Sequence, residues 1–239
     1  MKRATQFDIV TVFPRMFEGY LGESIIKRAV NKGAVNIQVH DLRVWSTDKH
    51  HKVDDTPYGG GAGMVLKVEP LWRCISSLMG DQKQQKQRRI ILLSAKGKQF
   101  TQQDAKRLSQ YRDIILLCGR YEGVDERVAN HIADEEFSIG SYVLTGGELP
   151  AMVILDAVAR LLPDVLGNAD SLRTESHSVQ GYLEYPQYTK PENFRGWKVP
   201  AVLLSGDHKK IEAWRNAHAS HPTSIATPIK KRRLVRKVL

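Results

Sequence analysis

The stretch that decides the fold reads Leu144-Thr145-Gly146-Gly147-Glu148-Leu149-Pro150-Ala151-Met152. Two glycines stand directly before a long apolar segment with helical spacing. Glycine lets the backbone approach a ligand closely, and the start of a helix presents unpaired N–H groups. The stretch therefore predicts a loop built around a small molecule, followed by a helix.

Upstream of this stretch, strands and helices alternate, and a second glycine-marked loop occupies residues 117–123. The predicted order is strand 89–94, helix 101–109, strand 113–118, helix 124–131, strand 137–144 and helix 148–162. Continuous apolar strands between helices indicate an α/β fold, with a parallel sheet covered by helices on both faces. Ligands of such sheets bind at the carboxyl ends of the strands. The turns at 94–97, 119–123 and 145–147 are therefore expected to share one pocket.

The first third of the chain contains a long polar loop between its second predicted strand and its second predicted helix. Predicted elements are a strand at 7–13, one helix from Pro14 to Val30, a strand at 35–39 and a helix at 68–78. Residues 43–63 are polar and glycine-rich and show no apolar period. A loop of about twenty residues in a compact domain is usually functional or disordered.

Composition is typical of a soluble globular protein, with 41% hydrophobic and 26% charged residues in 239. No apolar run reaches the roughly 18 residues of a membrane span, and the N-terminus lacks a signal-peptide core. These features predict a cytoplasmic protein with no membrane partner. Cys74 and Cys118 lie far apart in sequence, which favours two buried, reduced thiols.

The net charge of 36 − 26 = +10 favours a polyanionic partner. Basic residues cluster at 83–89 and again at 230–237. The alternative interpretation of each cluster is a solvated loop or tail.

The amino-acid composition changes after Pro163, and this change predicts a domain boundary. Residues 164–180 are polar without an apolar period, whereas prolines and aromatics dominate from 181 and a helix is predicted at 208–219. The predicted organisation is a first domain at 1–160, a linker at 161–180 and a C-terminal domain at 181–239.

Asp156 and Arg160 are four residues apart on the otherwise apolar helix 148–162. One interpretation is an exposed i,i+4 ion pair. The other is that Arg160 faces a functional site, because a charged pair on an apolar helix is costly unless it has partners or a function. No standard nucleotide-binding or hydrolase motif is present. His218 and His221 are interpreted as surface residues, since no third metal ligand is near.

Taken together, these segments resemble the bacterial tRNA (guanine-N1)-methyltransferases, which belong to the knotted (SPOUT) class of S-adenosylmethionine-dependent methyltransferases. The matching segments are 53–55, 57–61, 63–64, 118–123, 125–127, 138–140, 142–151, 156–160, 203–206 and His208. They run in order through nearly all of the chain, and the block 142–151 is highly specific.

The resemblance implies a deep trefoil knot in the first domain, a small, mostly helical C-terminal domain that binds tRNA, and a homodimer. The substrate would be the guanosine 3′ of the tRNA anticodon. The methyl donor, S-adenosyl-L-methionine, would be held by Leu93, Ser94, Gly119, Tyr121, Glu122, Gly123, Ser138, Ile139, Gly140, Ser141, Tyr142, Val143, Leu144, Gly146, Gly147 and Pro150. Mg²⁺ is left open, since no dedicated carboxylate cage is visible.

The reaction needs two charged groups at the guanine. N1 is a poor nucleophile until its proton leaves, and a positioned carboxylate can take that proton. A guanidinium beside O6 can stabilise the negative charge that develops. By the resemblance, Arg160 is the O6 partner and Glu175 the base, at a position where the family commonly has Asp.

Two alternatives remain beside the enzyme. Ser141, like Glu175, departs from the family's usual Asp, and these departures motivate a non-catalytic RNA-binding protein on the same scaffold. A related ribose 2′-O-methyltransferase is the weaker alternative, because the 53–58 segment and the glycine-rich 59–63 loop argue against it.

Overall fold

The computed structural model describes residues 4–79, 86–166, 175–179 and 181–220. The chain divides into two compact units, Met1–Gly167 and Asn168–Leu239. The basic cluster 230–237 lies outside the described residues, as do part of the cluster 83–89 and part of the predicted linker. No helix among the described ranges is long and apolar enough to cross a bilayer.

The first unit is an alternating α/β structure. In chain order it contains β1 (Thr5–Thr11), a 3₁₀ helix (Pro14–Phe17), α1 (Glu18–Leu21), α2 (Ser24–Asn31), β2 (Val35–Asp41), a second 3₁₀ helix (Leu42–Trp45), β3 (Asp54–Asp55), β4 (Val65–Leu66), α3 (Val68–Leu78), β5 (Arg88–Gln99), α4 (Gln102–Leu108), β6 (Asp113–Cys118), α5 (Glu126–His131), β7 (Glu135–Ser138) and α6 (Glu148–Ala159). Five strands form one sheet in the order β2-β1-β6-β5-β7, with every pair parallel. The predicted parallel sheet is confirmed.

Both faces of this sheet are covered by helices, because its strands alternate their apolar side chains between two buried clusters. On β6, Ile114 and Leu116 belong to the cluster that includes residues of α2, α4 and α6. Ile115 and Leu117 belong to the cluster that includes residues of α3 and α5. A strand buried on both faces reads as a continuous apolar run, which is why the sequence located it.

Three predicted elements differ from the structure. The single helix expected from Pro14 to Val30 is broken into a 3₁₀ helix, α1 and α2, with a C-cap at Gly22. The strand expected at 137–144 ends at Ser138, where the Gly140 N–H donates to Ser138 Oγ (3.3 Å) and turns the chain. By contrast, β5 runs on to Gln99, because Lys98 and Gln99 pair with β7 again after a register shift.

The second unit contains the hairpin of β8 (Asn193–Phe194) and β9 (Trp197–Lys198), followed by α7 (Ala201–Leu204) and α8 (His208–His218). Asp207 caps α8 by accepting a hydrogen bond from the Lys210 N–H at 3.1 Å. The predicted helix at 208–219 is confirmed. Within the described ranges 175–179 and 181–220, no residue of this unit is buried.

Candidate functional site

An excursion within β5 and the turns at the carboxyl ends of β6 and β7 surround one cavity of about 410 Å³. Its wall is formed by residues 92–96, 119–124, 136–139 and 142–147, together with Glu126 and Pro150. This volume lies within the range of small-molecule sites. The residues that the resemblance assigns to the methyl donor all line the cavity except Gly140 and Ser141, which lie in the loop between Ile139 and Tyr142.

The first wall is an excursion of β5 out of its ladder. Leu93 and Lys98 both pair with Phe137, so that residues 94–97 bulge from the sheet. A side chain at Gly97 would place its Cβ 2.7 Å from the backbone of Glu136 and Phe137. Only glycine permits this close approach, and the excursion therefore stays tight against β7.

The second wall is the turn after β6. A Cβ on Gly119 would lie 2.8 Å from the carbonyl oxygen of Leu93. Tyr121 has φ +61°, in the left-handed region that a residue with a side chain rarely adopts. Such outliers concentrate at ligand sites, and this turn forms part of the cavity wall.

The long polar loop of the N-terminal half ends on this second wall. Glu122 donates its backbone N–H to the Met64 carbonyl (3.0 Å), and Leu66 donates to Gly123 (3.0 Å). The hairpin of β3 and β4, with the glycine-rich residues 59–63 at its tip, is therefore anchored beside the cavity.

The third wall is the loop between β7 and α6. Gly147 donates its N–H to the Gly119 carbonyl at 2.8 Å, and a Cβ there would lie 2.7 Å from Cys118 Cα. At Gly146 a Cβ would collide with the Arg120 side chain. The two glycines thus let this loop lie directly on the turn after β6, as the sequence predicted for a close backbone approach.

Sequence reasoning missed the charged group beneath these two walls. Glu148 is 1% exposed, and it accepts hydrogen bonds from Thr11 Oγ1 (2.7 Å) and Arg120 Nε (2.9 Å). Arg120 also donates to the carbonyl oxygen of Thr145 at 3.0 Å. The available signal was a carboxylate at the first position of a helix in which Asp156 is the only other charged residue.

Two titratable groups beside the cavity are held in their neutral forms. Burial raises the pKa of the Cys118 thiol well above its usual value, and nearby Glu148 adds to the rise. Burial also raises the pKa of Tyr121, with further contributions from Asp54. Cys118 is therefore an inert packing residue at neutral pH, since the thiolate is the reactive form.

The two residues assigned to catalysis lie in different units, and neither is part of the cavity wall formed by the described residues. Arg160 is the C-cap of α6 and donates its backbone N–H to the Asp156 carbonyl at 3.1 Å. The Asp156 carboxylate accepts from Tyr20 Oη at 2.8 Å. Glu175 begins a turn in which its carbonyl accepts from the Ser178 N–H at 3.0 Å.

Within the described part of the chain, no group of three or more His, Cys, Asp or Glu side chains could hold a metal ion. His218 is exposed and stacks on Trp214, with ring centroids 4.0 Å apart, whereas His221 lies outside the described residues. Cys74 and Cys118 are free and buried, as predicted.

Comparison with known proteins gives one consistent result. The family model described as tRNA (Guanine-1)-methyltransferase TrmD matches residues 5–231. A tRNA (guanine-N(1)-)-methyltransferase of Halalkalibacterium halodurans is 55% identical over 223 residues, covering 93% of this chain and 89% of that protein. The protein of that name from Dictyoglomus turgidum is 53% identical, covering 93% and 88%. A crystal structure of the tRNA (m1G37) methyltransferase from Aquifex aeolicus superposes with a TM-score of 0.74 at 38% identity, covering 90% of this chain and 89% of that one.

Proposed function

This chain belongs to the tRNA (guanine-1)-methyltransferase family, and on that premise we propose that it is an enzyme that methylates N1 of a guanosine in tRNA. The single observation that carries the proposal is the match over residues 5–231, which includes every turn of the cavity. The target position is guanosine 37, since the Aquifex aeolicus enzyme is named as an m1G37 methyltransferase. The cellular site of action is the cytoplasm.

The methyl donor that we propose for the cavity is S-adenosyl-L-methionine. At Gly119 and Gly147 the wall of the cavity is formed by the backbone itself, since a Cβ at either position would fall within 3 Å of neighbouring main-chain atoms. A flat adenine can lie against such backbone, and backbone N–H and carbonyl groups can bind its edge. Ser94 and Ser138 add hydroxyl groups to the wall. When bound, the donor supplies an electrophilic methyl group on positively charged sulfur.

The protein's part in the chemistry is to prepare the guanine. Glu175 accepts the N1 proton, which leaves negative charge on N1 and O6. Arg160 places its guanidinium beside O6 and stabilises that charge as it develops. Alignment of N1 with the methyl carbon supplies much of the remaining rate acceleration. Glu175 is one methylene longer than the Asp that is usual at this position of the family.

Further parts of the proposal follow from membership in the family. They are a trefoil knot within residues 1–160, a homodimer, and a linker at 161–180 leading to a C-terminal tRNA-binding domain at 181–239. The close contact of Gly147 with Gly119 supports tightly packed loops at the carboxyl ends of the strands. The basic residues at 230–237 support contact with the phosphates of tRNA.

The test is methylation of tRNA transcripts by purified protein with labelled donor, followed by digestion and mass spectrometry of the nucleosides. We expect N1-methylguanosine at position 37 of the tRNA. Methyl on ribose would support the 2′-O-methyltransferase alternative, and either that result or unmodified tRNA would overturn the proposal. Parallel reactions with EDTA test the need for Mg²⁺.

A variant of the proposed base separates catalysis from binding. We expect Glu175→Gln to lower kcat by about 100-fold or more, while the Kd for tRNA changes by less than about threefold. Glu212→Gln, on the exposed surface of α8 in the same unit, is the matched control and should keep the wild-type kcat. Wild-type turnover by Glu175→Gln would show that Glu175 is not the base.

The non-catalytic alternative, an RNA-binding protein on the same scaffold, has no support from the comparisons, since the relatives from all three organisms are named as methyltransferases. Calorimetry distinguishes it directly. Absence of donor binding at millimolar concentration would favour the alternative over the enzyme.

A further inference from the structure

Glu148 is a fully buried carboxylate that the proposed reaction does not use. It stands at the first position of α6 and is 1% exposed. Thr11, at the carboxyl end of β1, donates to one of its oxygens, and Arg120, after β6, donates to the other. We term Thr11, Arg120 and Glu148 the clamp.

A buried ion pair is a poor way to gain stability. Removing two charges from water costs nearly as much as their attraction returns, and apolar residues of similar volume often do as well or better. The clamp also places a carboxylate at the start of a largely apolar helix, in which Ile154, Leu155 and Val158 are completely buried. Its presence is therefore better explained by the precise placement of the groups that it joins.

The clamp connects two walls of the cavity, the turn after β6 and the loop between β7 and α6. Arg120 lies between Gly119 and Tyr121 in the turn after β6. Its Nη1 donates to the carbonyl oxygen of Thr145, and its Nε donates to Glu148, so both ends of the 145–148 segment are tied to that turn. A Cβ on Gly146, between them, would lie 2.2 Å from Arg120 Nε, so a side chain there would displace the guanidinium.

Further contacts orient the arginine itself. Its guanidinium carbon lies 4.5 Å from the centroid of the Phe13 ring, and Nη2 lies 3.3 Å from Met16 Sδ. The backbone N–H of Phe13 in turn donates to Thr11 Oγ1 at 2.9 Å. The end of β1 and the first 3₁₀ helix thus fix the position of Arg120 through contacts that α6 does not supply.

We propose that Thr11, Arg120 and Glu148 form a positioning clamp that holds the 145–148 segment on the turn after β6 and thereby sets the width of the methyl-donor cavity. This inference rests on the proposed function, since it assigns the donor to that cavity. The planar guanidinium is required because it donates from two nitrogens in fixed directions. A lysine ammonium at the same place would be a single point charge and could not tie both groups in the same geometry.

Two conservative variants test the clamp. Thr11→Val removes the hydroxyl with almost no change of shape, and it lies outside the cavity wall. Arg120→Lys keeps the positive charge but removes the planar guanidinium that donates from two nitrogens. For both we expect the Kd for S-adenosyl-L-methionine, measured by calorimetry, to rise about 10- to 100-fold. The KM for the donor should rise in parallel, whereas the Kd for tRNA stays within about threefold of wild type.

The matched control is a second, largely buried ion pair at the opposite end of the sheet. Arg88 Nη2 and Asp113 Oδ2 are 3.7 Å apart, with side chains 10% and 13% exposed, and they stand at the first residues of β5 and β6. Arg88→Lys should lower the Tm by a similar amount to Arg120→Lys without changing the Kd for the donor. This comparison separates positioning from general stability.

The outcomes are distinct. Donor affinity within about twofold of wild type in both clamp variants overturns the clamp but leaves the proposed function intact. Equal loss of donor affinity in Arg88→Lys also overturns it, because the effect is then one of stability alone. A wild-type protein that binds no donor overturns the proposed function and the role of the clamp with it. If Arg120→Lys does not fold, Thr11→Val decides.

Discussion

The two units of this protein bury their side chains to very different degrees. The first unit contains two clusters of buried residues, one on each face of the sheet. In the described ranges 175–179 and 181–220 of the second unit, no residue is buried, and Phe194, Trp197 and Leu204 are about half exposed or more. Small units with little buried surface are marginally stable by themselves.

This difference indicates a division of tasks. A site built on a close-packed sheet can be formed before its ligand arrives, since packed interiors hold their shape. A unit held by a hairpin, two helices and ring contacts such as that of Trp214 with His218 can adapt to a large, irregular partner. We therefore expect a preformed cavity in the first unit and an adaptable surface in the second.

The largest expected effect is on thiol reactivity. Cys74 and Cys118 are 0% and 3% exposed, and burial raises the pKa of Cys74 to about 12. In the native protein we expect both to react with a thiol reagent at least about 1,000-fold more slowly than an exposed cysteine, because reaction requires opening of the core. Ala213→Cys, at a position on α8 that is not buried, supplies the reference thiol within the second unit.

The same measurement of thiol reactivity can also contradict the proposed difference between the two units. Rapid reaction of the two native thiols would mean that the first unit opens readily. Slow reaction at position 213 would mean that the surface of the second unit is covered in solution.

The next effect is on donor binding. Gly147→Ala would place a Cβ 2.7 Å from Cys118 Cα, which is backbone and cannot swing aside. We expect the Kd for S-adenosyl-L-methionine to rise about 100-fold, because the loop must lift from the turn after β6. The Kd for tRNA should change much less. Gly19→Ala, where no atom lies within 4 Å of the added Cβ, is the control and should bind donor normally. Normal donor binding by Gly147→Ala would show that the cavity is not preformed.

The smallest effect is on stability and depends on pH. Asp104 is 4% exposed, and its carboxylate accepts from Lys98 Nζ (2.8 Å) and completes the capping box of α4 with Thr101. Burial alone would raise the pKa of Asp104, but the hydrogen bonds from Lys98 and Thr101 outweigh it and hold that pKa below its usual range. The stabilisation is therefore present above the unfolded pKa and is lost as pH falls through the lower, native pKa.

We expect Asp104→Asn to lower the free energy of unfolding by about 1–2 kcal/mol at pH 7 and by less at about pH 3, as measured by urea denaturation. An equal loss at both values would mean that the charge of Asp104 has no part in the effect. Unfolding of the second unit should not change, as followed by the fluorescence of Trp197 and Trp214 in a background where Trp45 and Trp72 of the first unit are replaced by Phe.

Much of the first unit could be predicted from sequence because its strands are buried on both faces. The bounds of β6 and α3 match the predicted 113–118 and 68–78, since an apolar run or an apolar period defines each of them. The glycine pair at 146–147 correctly located a close backbone approach. In each case the information is local and lies within one element.

The rest could not be predicted because it joins distant residues. Thr11 and Glu148 are 137 positions apart, and no local pattern links a hydroxyl at the end of a strand to a carboxylate at the start of a helix. The second pairing of β5 with β7 likewise depends on a register shift at Phe137. The roles of Arg160 and Glu175 stay predictions, since they come from the resemblance and not from a pattern of spacing.

The position of β1 in the sheet has a consequence for biosynthesis. β1 pairs with β2 on one side and with β6 on the other, and Phe7 lies opposite Ile114 in that second pairing. Since domains form as the nascent polypeptide leaves the ribosome, one edge of β1 must wait until about a hundred further residues have been translated. We therefore expect chaperones to protect the N-terminal portion during elongation, and we expect truncated products that end before β6 to aggregate.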